Sequence, residues 1–199
     1  ELALRQEASR RNEFYAWLKE DVKAEFINGQ IVMHSPVKER HWTTVGNIYR
    51  LMSWYALKYK LGRVASEKAL ISLIRNDYEP DVCFWKQEKA SQFTADQMKL
   101  PAPDLAIEVL SKGTARRDRG VKFTDYAANG IAEYWIVNPG KQTIEQYELD
   151  PDLEEYTHIG TFSNSQEIES KQVIGFRVPV LSLFDEQANM DAHESLFSS

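Results

Sequence analysis

The sequence predicts a mixed α/β (α+β) fold, with helices flanking a central mixed β-sheet. Three observations carry this expectation. An Asn28-Gly29 pair sits between the short apolar alternations of Glu25 to Val32, the pattern of a tight β-hairpin. Brief apolar runs follow at Val82 to Trp85 and Leu105 to Leu110, too short for helices and preceded by prolines. Around them, apolar residues recur at helical spacing over Lys38 to Lys60 and Thr114 to Ala128. Such an order of elements packs as helices against a sheet.

Each element has its own local reason. Glu7 to Lys19 has helix-forming composition, with Phe14, Trp17 and Leu18 on one side. After the hairpin, Trp42, Val45, Ile48, Tyr49, Met52 and Tyr55 mark one long helix, closed by Leu61-Gly62. Arg63 to Ile74 reads as a strand and Asn76-Asp77 as a turn. Pro80 to Trp85 and Asp104 to Leu110 read as two more strands. The polar stretch Lys86 to Pro101 between them reads as a surface loop with a helical turn. Thr114 is placed to cap the helix that ends at Asn129-Gly130. Glu133 to Val137 is a strand stopped by Pro139-Gly140, and Thr143 to Leu149, Tyr156 to Gly160 and Val173 to Val178 are strands of a β-rich end. The expected organisation is a single domain over 1–199, with its core at about 22–150, a β-rich extension at 151–186 and a polar tail at 187–199 that frays.

Composition narrows the function. With 199 residues, 43% hydrophobic and 12% aromatic, the chain can bury a substantial core. No run approaches the roughly 18 apolar residues needed to cross a bilayer, so no membrane partner is expected. Glu1 to Trp17 carries no apolar targeting core. Cys83, the single cysteine, cannot form an internal disulfide and reads as a buried thiol. Both point to the cytoplasm. A net charge of −6 argues against non-specific coating of nucleic acid. A polyanion would have to be held by a local basic patch or through bound metal.

The unusual residues are acids in strands. Asp81 opens the run Asp81-Val82-Cys83-Phe84-Trp85, and Glu108 lies between Ile107 and Val109. A lone carboxylate in an apolar setting costs several kcal/mol and tends to stay neutral. Paired carboxylates usually share a proton or hold a cation, and their hard oxygens suit Mg²⁺. On the next helix, Asp118, Lys122 and Tyr126 are spaced four apart and form one stripe. If that helix returns across the sheet, Lys122 points over the acid-bearing strand ends. Metal-assisted phosphodiester hydrolysis uses such a set: a Lewis acid, a primed water and a positive charge.

Pro80-Asp81, Glu108-Val109-Leu110 and Lys122 together resemble the PD-(D/E)XK restriction-endonuclease-like superfamily. More closely, the chain is similar to the Uma-type group of bacterial endonuclease-like proteins, long filed as a domain of unknown function. The likeness runs from about Glu25 to Asp150 and takes in EFINGQIV, the His41 helix, YEPDVCFW, APDLAIEVLS, the Lys122-to-Tyr126 spacing and GIAEYWIVNP. It implies an αβββαβ-type restriction-endonuclease-like core, Mg²⁺ or Mn²⁺ as cofactor, and DNA as substrate. It carries Asp81 and Glu108 over as the two acids and Lys122 as the lysine; in the mechanism expected from these residues, the backbone carbonyl of Val109 joins the acids on the metal and Lys122 orients the attacking water. One departure stands out. The superfamily's usual lysine position, two places after the second acid, holds Leu110, which cannot polarise water. Asn28 also stands where relatives often carry aspartate.

Further residues have both a bland and a functional reading. Glu67, Glu25, His41 and Tyr126 are accessory candidates, and packing or surface roles compete for each. Asp104 shares the Glu108 register but reads as settling the strand start, and Trp135 as core. Arg116, Arg117 and Arg119, with Lys112 nearby, could hold a phosphate backbone or form a solvated face. A homodimer would suit cleavage of both strands of a duplex. The rival readings are a catalytically inactive interaction domain on the same fold and a metal-free, two-carboxylate sugar hydrolase.

Overall fold

The structure, a computed structural model, describes residues 2–150 and 152–198; Glu1, Pro151 and Ser199, which fall in the expected domain, its extension and its tail, lie outside the described residues. In chain order the elements are α1 (Leu2–Trp17), β1 (Ala24–Ile27), β2 (Gln30–Met33), α2 (Glu39–Lys58), β3 (Gly62–Ser66), β4 (Leu70–Ser72) and β5 (Asp77–Tyr78). Next come β6 (Val82–Lys86), α3 (Gln87–Ala90), β7 (Lys99–Leu100), β8 (Leu105–Val109), α4 (Ala115–Asp118) and α5 (Val121–Ala128). The chain ends with β9 (Glu133–Asn138), β10 (Thr143–Asp150), β11 (Glu155–Ser163), β12 (Glu167–Glu169), β13 (Arg177–Pro179), a 3₁₀ turn (Val180–Leu183) and α6 (Glu186–Phe197).

The fold is the predicted mixed α/β class, but its strands divide between sheets. A six-stranded sheet runs β11-β10-β9-β8-β6-β3, a five-stranded one β2-β1-β5-β4-β7, and β12 pairs with β13. In the larger sheet only β8 and β9 run parallel. Alternation along β8 fixes its two faces. Leu105, Ile107 and Val109 join α2 residues Val45, Ile48 and Met52 in one core. Ala106 points the other way, with Cys83, Trp85, Tyr126 and Tyr134, so Glu108 shares the face covered by α5.

Four departures from the sequence reading have local causes. The single strand expected over Arg63 to Ile74 breaks where Glu67 takes a left-handed φ of 53°; β3 and β4 then enter different sheets. The single helix expected from Thr114 to Ala128 is two, α4 and α5. Gly120 separates them, and a Cβ there would lie 2.8 Å from the Arg116 carbonyl oxygen. Val173 and Phe176 are core residues outside a strand, and pairing begins only at Arg177. The tail expected to fray forms α6, capped by Asp185, whose Oδ1 accepts the Ala188 N–H. The hairpin is as predicted, with Asn28 and Gly29 both at positive φ. Among the described residues no helix is long and apolar enough to cross a membrane.

Candidate active site

The site forms where the two larger sheets meet under α5. Lys122, on the first turn of α5, is a fully sealed lysine, with a side chain only 2% exposed. Its Nζ donates to Glu108 Oε1 at 3.0 Å, lies 2.8 Å from Glu25 Oε1 and sits 3.7 Å from Asp118 Oδ1. Glu108 comes from the six-stranded sheet and Glu25 from the five-stranded one, so a single ammonium ties the sheets together. Burial pushes Lys122 toward neutrality, but Glu108, Glu25 and Asp118 outweigh it and raise its pKa well above the ordinary lysine value. Lys122 is therefore a fixed cation and not a base.

Around it the acids divide. Burial raises Glu108 well above the usual carboxylate range, and Lys122 only partly offsets this. Burial would raise Glu25 too, but Lys122 and then His34 prevail and bring it down to about 2. Tyr126 Oη donates to Glu108 Oε1 at 2.7 Å, so the tyrosine one turn beyond Lys122 braces the acid as well as packing.

Asp81 lies just before β6. The pairing Val82↔Ile107, carried one residue further, sets it opposite Glu108 and on the same face. Its Oδ2 accepts the Val109 N–H at 2.7 Å and lies 3.4 Å from His41 Nε2. Burial works against a charge on His41, yet Asp81 and the Val109 backbone raise its pKa above the ordinary histidine value. The Asp81 side chain is 13% exposed and that of His41 8%. The cluster approaches solvent through an aperture at Asp81 and His41 and again at His34, whose side chain is 16% exposed.

Sequence reasoning missed three members. Asp118 is fully buried, and neither of its carboxylate oxygens has a hydrogen-bond partner among the described residues. Burial raises its pKa despite Lys122. The signal was its place in the Asp118–Lys122–Tyr126 stripe, which borders the buried side of the helix; a wet-face pair with Lys122 was the competing reading. Glu79, directly before Pro80-Asp81, donates its N–H to Glu25 Oε1 at 3.0 Å, and burial lifts its own carboxyl to about 7. His34 Nε2 stands 3.5 Å from Glu25 Oε2 and 4.0 Å from Glu79 Oε2. Nothing in the sequence marks His34; it arrives through the β1–β2 pairing.

The other candidates fall outside the cluster or are otherwise engaged. Glu67 turns outward, 46% exposed, with Lys23 at 4.0 Å, so the left-handed bend that brings its N–H to the Asp81 carbonyl sends its carboxylate away. Arg119 is held bidentately by Glu145, with both contacts at 2.6 Å; the expected phosphate contact would have to break that pair. Lys112 and Arg116 are exposed, and Arg117 is half-buried with Nε unpaired among the described residues. Asp104 takes the bland role expected of it, accepting the Lys86 N–H and pairing with Lys89. Trp135 is fully buried core.

The donor set suits a hard cation. Both hydrogen bonds to Glu108 fall on Oε1 and both contacts to Asp81 on Oδ2, which leaves Glu108 Oε2 and Asp81 Oδ1 for a ligand. Among the described residues no three His, Cys, Asp or Glu side chains form a metal cage by themselves. An ion here would draw on backbone carbonyl oxygen and water as well.

A family model described as "Putative restriction endonuclease", Uma2, matches residues 11–181. The chain belongs to the Uma2 family. A crystal structure described as "a putative nuclease belonging to DUF820", from Anabaena variabilis, aligns over 87% of this Uma2 chain and 96% of its own. The TM-score is 0.74 and the identity 16%. At that identity the likeness establishes a shared fold. No curated protein matches. The Uma2 match spans every member of the buried cluster, from Glu25 to Tyr126, and supports a nuclease-like role.

Proposed function

We propose that the chain hydrolyses phosphodiester bonds of nucleic acid, DNA first, using Mg²⁺ or Mn²⁺ held by Asp81, Glu108 and the backbone carbonyl of Val109. The observation carrying this reading is the convergence of Asp81, Glu108 and Lys122 in one sealed cluster with more acid than base. Carboxylates with oxygens left over, and the unpartnered Asp118 oxygens, are what a divalent ion would neutralise. When bound, the metal supplies Lewis acidity toward a phosphate oxygen and a lowered pKa for an attacking water.

The protein's own groups do the rest. Lys122 holds Glu25 and Glu108 at a fixed separation. Because Asp118 lies beyond hydrogen-bond reach at 3.7 Å, the third ammonium N–H remains available to orient a water. This restores from the helix what Leu110 cannot offer from the strand. His41 stands beside Asp81, which raises its pKa, and would present positive charge to an incoming phosphate when protonated. Exposed Lys112 and Arg116 lie just past the end of β8 and lengthen that positive track.

The test is Mg²⁺-dependent nicking of labelled DNA by the wild type beside Asp81→Ala, Glu108→Ala and Lys122→Ala. Loss of cleavage in each variant, and by chelation, is expected. Undiminished cleavage in all three refutes this site. A second reading, an inactive interaction domain on the same fold, draws on Leu110 and on how completely Lys122 is enclosed. Calorimetry with Mn²⁺ separates the two, since the inactive domain takes up no ion at Asp81 and Glu108.

A further inference from the structure

Trp42 is the residue after His41 on the first turn of α2, and it is 54% exposed. One step along a helix turns the side chain by about 100° and advances it by about 1.5 Å. While His41 points into the cluster, Trp42 therefore stands outside it, one residue from the side chain that meets Asp81. Four residues on, Gly46 occupies the same helix face, and a Cβ there would meet nothing within 4 Å. Tyr49, seven residues from Trp42 on that face, is again exposed. The stripe is thus an aromatic ring, a bare step and a second ring, starting at the entrance to the acid cluster. Lys38 and Arg40 are exposed at the same end of α2, with Glu39, also exposed, between them.

We propose that this face of α2 is the track for an unpaired strand of nucleic acid, with one base stacked on Trp42 beside the phosphate that enters at Asp81 and His41. The inference rests on the phosphodiesterase reading and adds the substrate's form. Two features of the face select this occupant: it begins one residue from His41, which meets Asp81, and Lys38 and Arg40 outnumber Glu39 where it begins. A ring facing solvent stacks on a base whose own face is free, as in single strands, strand ends and flipped-out nucleotides, and not on a base inside a duplex. Trp42 and Tyr49 stand about 10 Å apart along the helix, room for a short run of unstacked nucleotides.

The test separates binding from cleavage by working in chelator with the full chain. Fluorescence anisotropy is followed with labelled single-stranded and duplex oligonucleotides of DNA and of RNA. Wild type is expected to favour single strands. Trp42→Ala should weaken that binding about tenfold, in line with the loss of one stacked base, and Trp42→Phe should recover most of it. Trp54→Ala, an equally exposed tryptophan further along α2, serves as control and should bind as wild type. If the wild type binds nucleic acid and Trp42→Ala binds single strands unchanged, this inference fails while the phosphodiesterase reading stands. If the wild type binds no probe, the strand track falls, and Mg²⁺-dependent nicking decides the phosphodiesterase reading by itself. If sedimentation shows a dimer that Trp42→Ala converts to monomer, the face is an interface between copies of the chain, and the strand track is overturned.

Discussion

Lys122 Nζ lies 3.0 Å from Glu108 Oε1 where neither side chain reaches solvent. The bond joins a helix to the centre of a sheet, and the same ammonium reaches Glu25 in the second sheet. Removing Lys122 therefore strands several buried acids at once. Lys122→Met is expected to destabilise the fold by about 3–5 kcal/mol, the usual result of breaking a buried ion pair from one side. Glu25 is lowered to about 2, so its pairing contributes stability above its unfolded value near 4.3 and loses it as pH falls toward 2. Denaturant titrations should show the deficit of Lys122→Met largest near neutral pH and shrinking in acid. A constant deficit would mean that packing alone is lost.

Glu108→Gln separates stability from function. It removes a charge that burial penalises and keeps the side chain's volume. The variant should melt at or above the wild-type temperature while Mn²⁺ uptake and cleavage fall by at least about a hundredfold. Loss of folding together with activity would assign Glu108 a structural role only.

Asp118→Asn probes a residue whose place in the Asp118–Lys122–Tyr126 stripe did not by itself mark it as part of the site. Two carboxylate oxygens buried without partners cost the apoprotein stability that a divalent ion would return. The variant is expected to raise apoprotein stability by about 1–2 kcal/mol and to weaken Mn²⁺ binding in the same calorimetric titration. Unchanged ion affinity would remove Asp118 from the ion's surroundings.

Arg119 and Glu145 make an exposed bidentate pair. The Arg119 hydrogen bond lowers the Glu145 pKa. That stabilisation is present above the unfolded glutamate value near 4.3 and is lost as pH falls through the lower folded value. Arg119→Ala should lower stability by about 0.5–1 kcal/mol at pH 7. The difference should vanish at low pH, with nucleic-acid affinity untouched. A loss of affinity equal to that of Arg116→Ala would restore Arg119 to the phosphate track.

Glu133 is a buried carboxylate that serves the fold. Its Oε1 accepts from Trp135 and Gln146, and its Oε2 from Ser170 and the Lys171 and Gln172 backbone N–H groups. Glu133→Gln places an amide donor among donors and should cost about 2–3 kcal/mol in chemical denaturation, with cleavage unchanged at temperatures where the variant is folded.

Local chemistry made the fold class, the hairpin and the two acid strands readable in the sequence. Asn28-Gly29 and the apolar runs around Cys83 and Ile107 need only their neighbours to form. The splitting of the sheets was not readable, because it depends on a backbone reversal at Glu67 that few non-glycine residues adopt. Within the site, Asp81, Glu108 and Lys122 were legible as residues costly to bury. Asp118 was not, since a helix face looks wet or dry only once its partner surface is known. His34 and Glu79 enter through strand pairing, which single-sequence periodicity does not specify.

One stitch at the far end of the chain has a practical meaning. Asn189 of α6 is wholly enclosed, giving its amide hydrogens to the Asn47 and Ser182 carbonyls while Arg50 holds its oxygen. Residues 182–199 lie past the span shared with the family, yet they splint the middle of the helix that presents His41 and Trp42. Deleting α6 would therefore loosen the middle of α2, and with it the seating of His41 against Asp81.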